Sequence, residues 1–308
     1  MNFSIGSDPE FILLDENSNP KSSIGILENK NSLFSIKNKI YYDNVLAETN
    51  IEPSFSKSDF IKNVRLSLKN LINLIKPFKI SNSSFDKFPT CELGHKDSFE
   101  FGCESEHCAY SLERIDLENF KKSTSRFAGG HIHIGTNIKG QENKIMLIRM
   151  LDLFLGIPLI LIDNSKNCKE RRFYFGKFGR YRKTSYGVEY RTPSNLWLLS
   201  PDTVDLVYDI VKFVVDFVEE KKHFNFWKIN YDKLNSNEFW NNGGDPAECH
   251  ECFGYDLNHL RNSFDKKILL SSHELVDIIN SHLPDDVLNK INNLLDKKIK
   301  IEECWNIT

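Results

Sequence analysis

Four segments of this chain alternate ionisable with apolar or small side chains at a period of two, and no other feature constrains the fold as much. "SDPEF" carries Asp8 and Glu10, and "LAETNIEP" carries Glu48, Asn50 and Glu52. "HIHIG" carries His131 and His133, and "GVEYRT" carries Glu189 and Arg191. Successive side chains on a strand point to opposite faces, so each segment presents one polar face and one apolar or small face. A single such strand is most simply the half-solvated strand of an antiparallel sheet. Four of them, drawing on Asp, Glu, His and Arg with almost no Lys, Ser or Thr, describe converging charge. Gathered carboxylates repel one another, and a cation relieves that repulsion.

Carboxylate oxygens suit hard divalent ions such as Mg²⁺ or Mn²⁺, and an imidazole ligand tilts the set toward Mn²⁺. A zinc site built on His-x-His, as in a metal hydrolase, is the competing metal reading. A cupin pattern is excluded, because it wants a Glu four or five residues after the second His, where Asn137 and Ile138 stand. The segment "CKERRFYFGKFGRYRK" places seven basic residues within 169–183, spaced by Gly176 and Gly179. Basic residues interleaved with aromatics can bind nucleic acid. Beside an anionic metal face, arginine forks and glycine backbone fit a small polyphosphate better. A solvated basic loop is the bland alternative.

The 308 residues allow one large domain or two ordinary ones. A net charge of -3 gives no global pull toward nucleic acid or an anionic membrane. Asp8 and Glu10 fall where the apolar core of a signal peptide would begin, and the run "MLDLFLGIPLILI" from Met150 is short for a bilayer and carries Asp152. Seven cysteines, an odd count, favour reduced thiols. These features predict a soluble cytoplasmic protein. Cys249 and Cys252 form a CxxC, and with Cys103, His107 and Cys108 they offer a weak second zinc pattern.

Residues 3 to 14 read as a strand, and a second extended stretch runs from Ile40 to a stop at Pro53. Phe60, Ile61, Val64, Leu68, Leu71, Ile72 and Ile75 then fall on one helical stripe, with Ser56 or Ser58 as cap and Pro77 beyond its end. A second apolar helix is predicted over about 142 to 156. Ser200-Pro201-Asp202 opens a long helix, with serine as cap and proline in the first turn. After about residue 222 the texture turns to Asn, Lys and Asp, with short helical patterns at 273–281 and 285–295. The expected division is therefore 1–222 and a C-terminal helical extension, 223–308.

Taken in order, "GSDPEFIL", "YYDNVLAETNIEPSFSKSDF", "FEFGCESEHCAY", "AGGHIHIG" and "RRFYFGKFGRYRKTSYGVEYRTPSNLWLLSP" resemble the phage-type carboxylate–amine ligases of the glutamine synthetase superfamily. The likeness covers about the first 210 residues and leaves 223–308 uncovered. It implies an α+β catalytic domain, a curved antiparallel sheet lined with metal ligands and backed by helices. It implies that ATP phosphorylates a carboxylate and that an amine displaces phosphate, leaving an amide or peptide bond. The substrates would be a small-molecule or peptide carboxylate and an amine. Glutamine synthetases form rings, which leaves an oligomer open.

The same resemblance assigns Asp8, His131 and Glu189 to one Mg²⁺ (or Mn²⁺). Glu10 and Glu48 would hold a second, with Glu100 or Glu52 as its third ligand. His133 would face the nucleotide phosphates, and Arg172, Lys177, Arg180 and Arg182 would line the phosphate-binding segment. Arg191 would stabilise the transferring group. The family has Asp-Gly where Asp43-Asn44 stands and Asp-Pro where Glu104-Ser105 stands.

Overall fold

The computed structural model of the chain describes residues 3–100, 105–115, 123–163, 167–226, 274–295 and 304–305. The N-terminal stretch, expected as one strand, is three: β1 (Phe3–Ser7), β2 (Glu10–Phe11) and β3 (Leu13–Leu14). The first break falls at Asp8-Pro9, where proline has no N–H to give a ladder. β4 (Pro20–Lys21) pairs with β3. The second extended stretch is a hairpin, β5 (Ile40–Asp43) and β6 (Leu46–Thr49), followed by β7 (Ile51–Ser54). Asn44 in the hairpin turn has φ 46°, a conformation that Asn tolerates nearly as Gly does, so the turn survives the replacement of Asp-Gly. Pro53 does not end its strand, because β7 is a sheet edge.

The remaining strands are β8 (Lys79–Ile80), β9 (Phe85–Lys87), β10 (Glu106–Cys108), β11 (Arg114–Ile115), β12 (Ser125–Phe127), β13 (Ile132–Thr136), β14 (Arg180–Lys183) and β15 (Gly187–Tyr190). Seven strands form one open antiparallel sheet in the order β11-β10-β14-β15-β13-β1-β7. β2, β6 and β5 form a separate three-stranded sheet. The four polar segments therefore do not line a single floor, as the resemblance had implied. They divide between two sheets.

Register explains which side chains meet. In the large sheet Gly6 opposes His133, His133 opposes Glu189, and Glu189 opposes Arg182. Directly opposed residues share a face. The other face carries Ile5, Ile132, Ile134, Val188 and Tyr190, all fully buried. In the small sheet Glu10 and Tyr41 both oppose Glu48. The sheets are tied at Glu10, whose N–H donates to the Gly129 carbonyl at 2.9 Å while the Gly129 N–H donates to its Oε2 at 2.8 Å. Asn195 Nδ2 donates to the Glu10 carbonyl at 2.8 Å.

Helices cover the apolar face. After α1 (Leu33–Asn38), α2 (Lys57–Ile75) starts at Ser56, whose Oγ accepts the Asp59 N–H at 3.2 Å. α3 (Gln141–Leu151) runs through a π-turn, Asp152–Gly156, straight into α4 (Ile157–Ile162). The expected end near residue 156 is overrun because the wider turn accommodates Pro158, which would clash with the carbonyl four residues back in a regular helix. At 22 residues this helix is long and apolar enough to cross a membrane, but 78% of its most apolar window is buried inside the protein, as in a core helix. Part of the segment expected as a basic loop is helical, α5 (Cys168–Tyr174).

α6 (Pro201–Glu219) opens as predicted, with Ser200 Oγ accepting the Asp202 N–H at 3.2 Å. Its Tyr208 meets Phe3 of β1 edge-on, ring centroids 5.7 Å apart. The C-terminal stretch contains α7 (Glu274–His282) and α8 (Asp285–Leu294). α8 packs on α6, where Lys290 bridges Asp205 and Asp209 and Lys57 of α2 reaches the same pair at 3.1 and 2.7 Å. The whole is a mixed α+β architecture of several antiparallel sheets and helices.

Candidate functional site

Asp8 lies in the link between β1 and β2, His131 just before β13, and Glu189 in β15. His131 is fixed from its backbone outward: Ser7 Oγ donates to its carbonyl at 2.6 Å, and Trp197 Nε1 donates to the Gly130 carbonyl at 3.0 Å. Its ring covers Gly129, where a Cβ would lie 2.5 Å from Nε2, so only glycine fits there. The other nitrogen, Nδ1, is 3.5 Å from Asp8 Oδ1 and 3.6 Å from Glu189 Oε1. The ligand atoms of these three residues all lie within 4.8 Å of one another.

His133 shares the face, as alternation predicts. Its Nε2 is 3.0 Å from Asp8 Oδ1, and its Nδ1 is 2.5 Å from the Tyr186 hydroxyl, with the two rings stacked at 16°. Both nitrogens, expected to face nucleotide phosphate, thus have protein neighbours. Asp8 Oδ1 and His133 Nε2 are nevertheless buried without hydrogen bonds. Burial pushes the Asp8 carboxyl up, but the two imidazoles outweigh it and hold it well below the ordinary range. Burial, with Arg191 adding, lowers His131 and favours the neutral ring that a metal needs.

A second group joins Glu10, Glu48 and Asp43, again with ligand atoms within 4.8 Å. Burial, then the charge of Asp43, pushes Glu10 up to about 8. Burial and the neighbouring carboxylates raise Glu48 as well. Tyr41 donates to Glu48 Oε1 at 2.7 Å. The third member is neither Glu100 nor Glu52. Glu100 is exposed beyond a 3-10 turn, and Glu52 is exposed and paired with Lys39. Asp43 was legible in principle: it alternates with Tyr41 on β5, and Tyr41 opposes Glu48. Both groups offer hard oxygen donors, one with an imidazole, and Asp8 Oδ1 is an orphaned buried oxygen. That donor chemistry fits Mg²⁺ or Mn²⁺.

Three arginines converge beside the first group. Arg191 Nε donates to Glu106 Oε2 at 3.0 Å and its Nη1 to Glu189. Arg182 Nη1 donates to Glu189 Oε2 at 3.2 Å, and Arg180 Nη1 lies 3.6 Å from Glu106 Oε1. Glu106, buried in β10, is a partner that the sequence reading missed. Arg172 stands apart, in a cleft with Asp163 and Cys168, its Nη2 3.7 Å from Cys168 Sγ. Lys177 is half-buried, and its carbonyl accepts the Thr192 hydroxyl at 3.0 Å.

Two further buried charges hold this region. Arg171 donates to the carbonyls of Ala128 at 3.1 Å, Thr192 at 3.0 Å and Pro193 at 2.9 Å, and burial lowers it to about 10. Its guanidinium occupies the place of a side chain at Gly176, which has φ 75°. Asp152, fully buried in the π-turn, accepts from Tyr190 Oη at 2.8 Å, Tyr110 Oη at 2.9 Å, the Gly179 N–H at 2.6 Å and Thr192 Oγ1 at 3.3 Å. Burial raises its carboxyl to about 7. A lone acid inside an apolar run was its sequence signal.

A narrow cleft opens beside these groups, lined by Glu10, His131, Arg191, Arg171, Phe127 and Phe175 among others. Of the suggested cysteine–histidine zinc set, Cys103, Cys249 and Cys252 lie outside the described residues, while His107 and Cys108 are in β10. Compared with curated proteins, the chain finds no match. Compared with protein families, residues 121–237, which include His131, Arg182, Glu189 and Arg191, match the model of the phage phiEco32-like COOH·NH2 ligase-type 2 family, the amidoligase family that the motifs resemble.

Proposed function

We propose that the chain is an ATP-dependent carboxylate–amine ligase that forms an amide or peptide bond through an acyl phosphate. The observation that carries the reading is the pairing of two ligand groups through Asp8-Pro9-Glu10, with Arg180, Arg182 and Arg191 beside one of them. Asp8, His131 and Glu189 would hold one Mg²⁺ or Mn²⁺, and Glu10, Asp43 and Glu48 the other. Such ions, when bound, neutralise phosphate oxygens and favour in-line displacement.

The chain's own residues divide the remaining work. Arg191, held by Glu106, is a fixed cation at the site's wall, suited to charge that builds on the transferring phosphoryl group. Arg182, whose Nη1 is 3.2 Å from Glu189 Oε2, is placed to meet a phosphate oxygen when nucleotide enters. Burial and Arg191 keep His131 neutral, while Asp8 and Glu189, facing its Nδ1, orient the ring. Two buried arginines, Arg171 and Arg180, and the pairing of Arg182 turn the basic segment inward, which favours this reading over a nucleic-acid surface.

The test is direct. Purified chain with ATP, Mg²⁺ and pools of acids and amines should release ADP and phosphate only when both partners are present, with a condensed product seen by mass spectrometry. No nucleotide binding together with tight, salt-sensitive DNA or RNA binding would overturn it.

A further inference from the structure

Each of the three carboxylates in the second ligand group is placed by a different device. Glu10 Oε2 accepts the Gly129 N–H at 2.8 Å, and Glu48 Oε1 accepts the Tyr41 hydroxyl at 2.7 Å. Asp43 is the last residue of β5, an outer strand of its three-stranded sheet, where the chain enters the two-residue turn Asn44-Val45. Its ligand oxygen lies within 4.8 Å of those of Glu10 and Glu48, so ionised carboxylates there push one another apart. A strand end at the edge of a small sheet needs something to resist that push.

The turn supplies it. Asn44 is buried, and its Oδ1 accepts two hydrogen bonds, from the Val45 N–H at 2.6 Å and from Arg126 Nε at 3.1 Å. Arg126, fully buried in β12, is itself held: Nη1 donates to the carbonyls of Ser123 at 2.6 Å and Ser125 at 2.8 Å, and Nη2 to that of Ser98 at 2.7 Å. A guanidinium is planar and rigid, so carbonyls that fix its two outer nitrogens also aim Nε at Asn44. The 3-10 turn that offers Ser98 also offers Asp97, whose Oδ2 accepts the Tyr42 hydroxyl at 2.7 Å. Asp43 therefore stands between two tethered neighbours, Tyr42 and Asn44. One short segment, 126–129, sets both Asp43, through Arg126, and Glu10, through Gly129.

We propose that Asn44 and Arg126 are positioning residues for the second cation: their hydrogen bond keeps Asp43 within reach of the ion that Glu10 and Glu48 face, and so sets the affinity of that site. This role rests on the two-cation reading, to which it adds a pair that touches neither ion nor substrate. The amide of Asn44 is separable from its backbone, because glycine adopts the same φ of 46° without strain.

Titration of the full chain with Mn²⁺, the free ion read by electron paramagnetic resonance, tests it, with urea unfolding in EDTA alongside. Asn44→Gly should weaken one Mn²⁺ site about tenfold or more and leave the other within threefold. Asn44→Ser, whose hydroxyl is too short to reach Arg126, should do the same. The weakened site should be the one that Glu48→Gln removes and His131→Asn leaves. Asn44→Asp, whose carboxylate accepts from Arg126 Nε in the same geometry, should keep the wild-type affinity within threefold. Unchanged Mn²⁺ affinities in Asn44→Gly overturn the proposal, even with stability lost in EDTA, because the bond then serves packing alone. Equal losses at both sites, no rescue by Asp, or a single Mn²⁺ site in the wild type also overturn it. ADP release is read in parallel. Selective Mn²⁺ loss in a chain that never forms ADP defeats the ligase reading and leaves the positioning role standing. ADP formation with Mn²⁺ binding indifferent to Asn44 does the reverse.

Discussion

Glu189 sits between an imidazole and two guanidiniums, and that neighbourhood sets the sign of its removal. Alternating charge alone suggests that losing one carboxylate relieves repulsion. Its partners argue otherwise: Arg182 and Arg191 both donate to it, and it is 2% exposed. Glu189→Ala leaves buried cations with fewer partners and should cost roughly 3 kcal/mol in urea unfolding, besides abolishing ADP formation. The two histidines should separate. His131→Asn loses the Nδ1 that faces Asp8 and Glu189, whereas His133 can lend its place to another polar group. His133→Asn should therefore keep at least tenfold more ADP-forming activity than His131→Asn, and equal loss in both would return the pair to a His-x-His zinc site. The period of two showed Asp8, Glu10, Glu48, His131 and Glu189 only in part, since Asp8 lies in the link between β1 and β2 and joins a different group from Glu10. It did not show Glu106 and Arg171, since their importance comes from partners far away in sequence, Arg191 for one and the Ala128 and Thr192 carbonyls for the other.

At the scale of elements, α2 and α6 were readable to within a few residues because capping serines and apolar stripes are local signals. The short strands were not, because pairing partners rather than local propensity decide where a two-residue ladder begins. The long helix shows a third case, in which a tertiary demand reshapes an element. Its π-turn brings Asp152 under Gly179, Tyr110, Tyr190 and Thr192, tying the glycine segment to both flanks of Arg191. A pH experiment reads this hub. The Asp152 carboxyl is raised to about 7 in the folded chain, against 3.8 for the exposed group, so between those values the folded state keeps a proton that the unfolded state releases. Its contribution makes stability fall as pH rises from about 4 to about 7. Asp152→Asn should remove up to one proton's worth of that slope in denaturant midpoints measured across this range. An unchanged slope would place the titrating group elsewhere.

For the molecule as a whole, two ligand groups inside one fold make stability a function of cation. Glu10 and Glu48 are 9% and 6% exposed, too buried for water to screen them fully. Mg²⁺ that binds only the folded chain should raise its stability by about 2.7 kcal/mol at a hundred times its dissociation constant, and calorimetric scans with Mg²⁺ and with EDTA measure this. Glu48→Gln should lose most of that dependence, while Lys290→Ala, on the far side at the α6–α8 contact, should leave it intact. The C-terminal packing that Lys290 anchors could be foreseen only as helices, because nothing in a helical pattern names the surface it will cover.

Asp8 and Glu10 flank Pro9 and serve different ligand groups on different sheets. A link of one residue, itself a proline ring, is a stiff lever, so fixing one carboxylate narrows where the other can stand. Occupancy of one group and affinity at the other are then thermodynamically linked, and each must alter the other by the same factor. Titrations with Mn²⁺ followed by electron paramagnetic resonance should show a Hill coefficient different from one. Pro9→Gly, which frees the lever, should bring it back toward one.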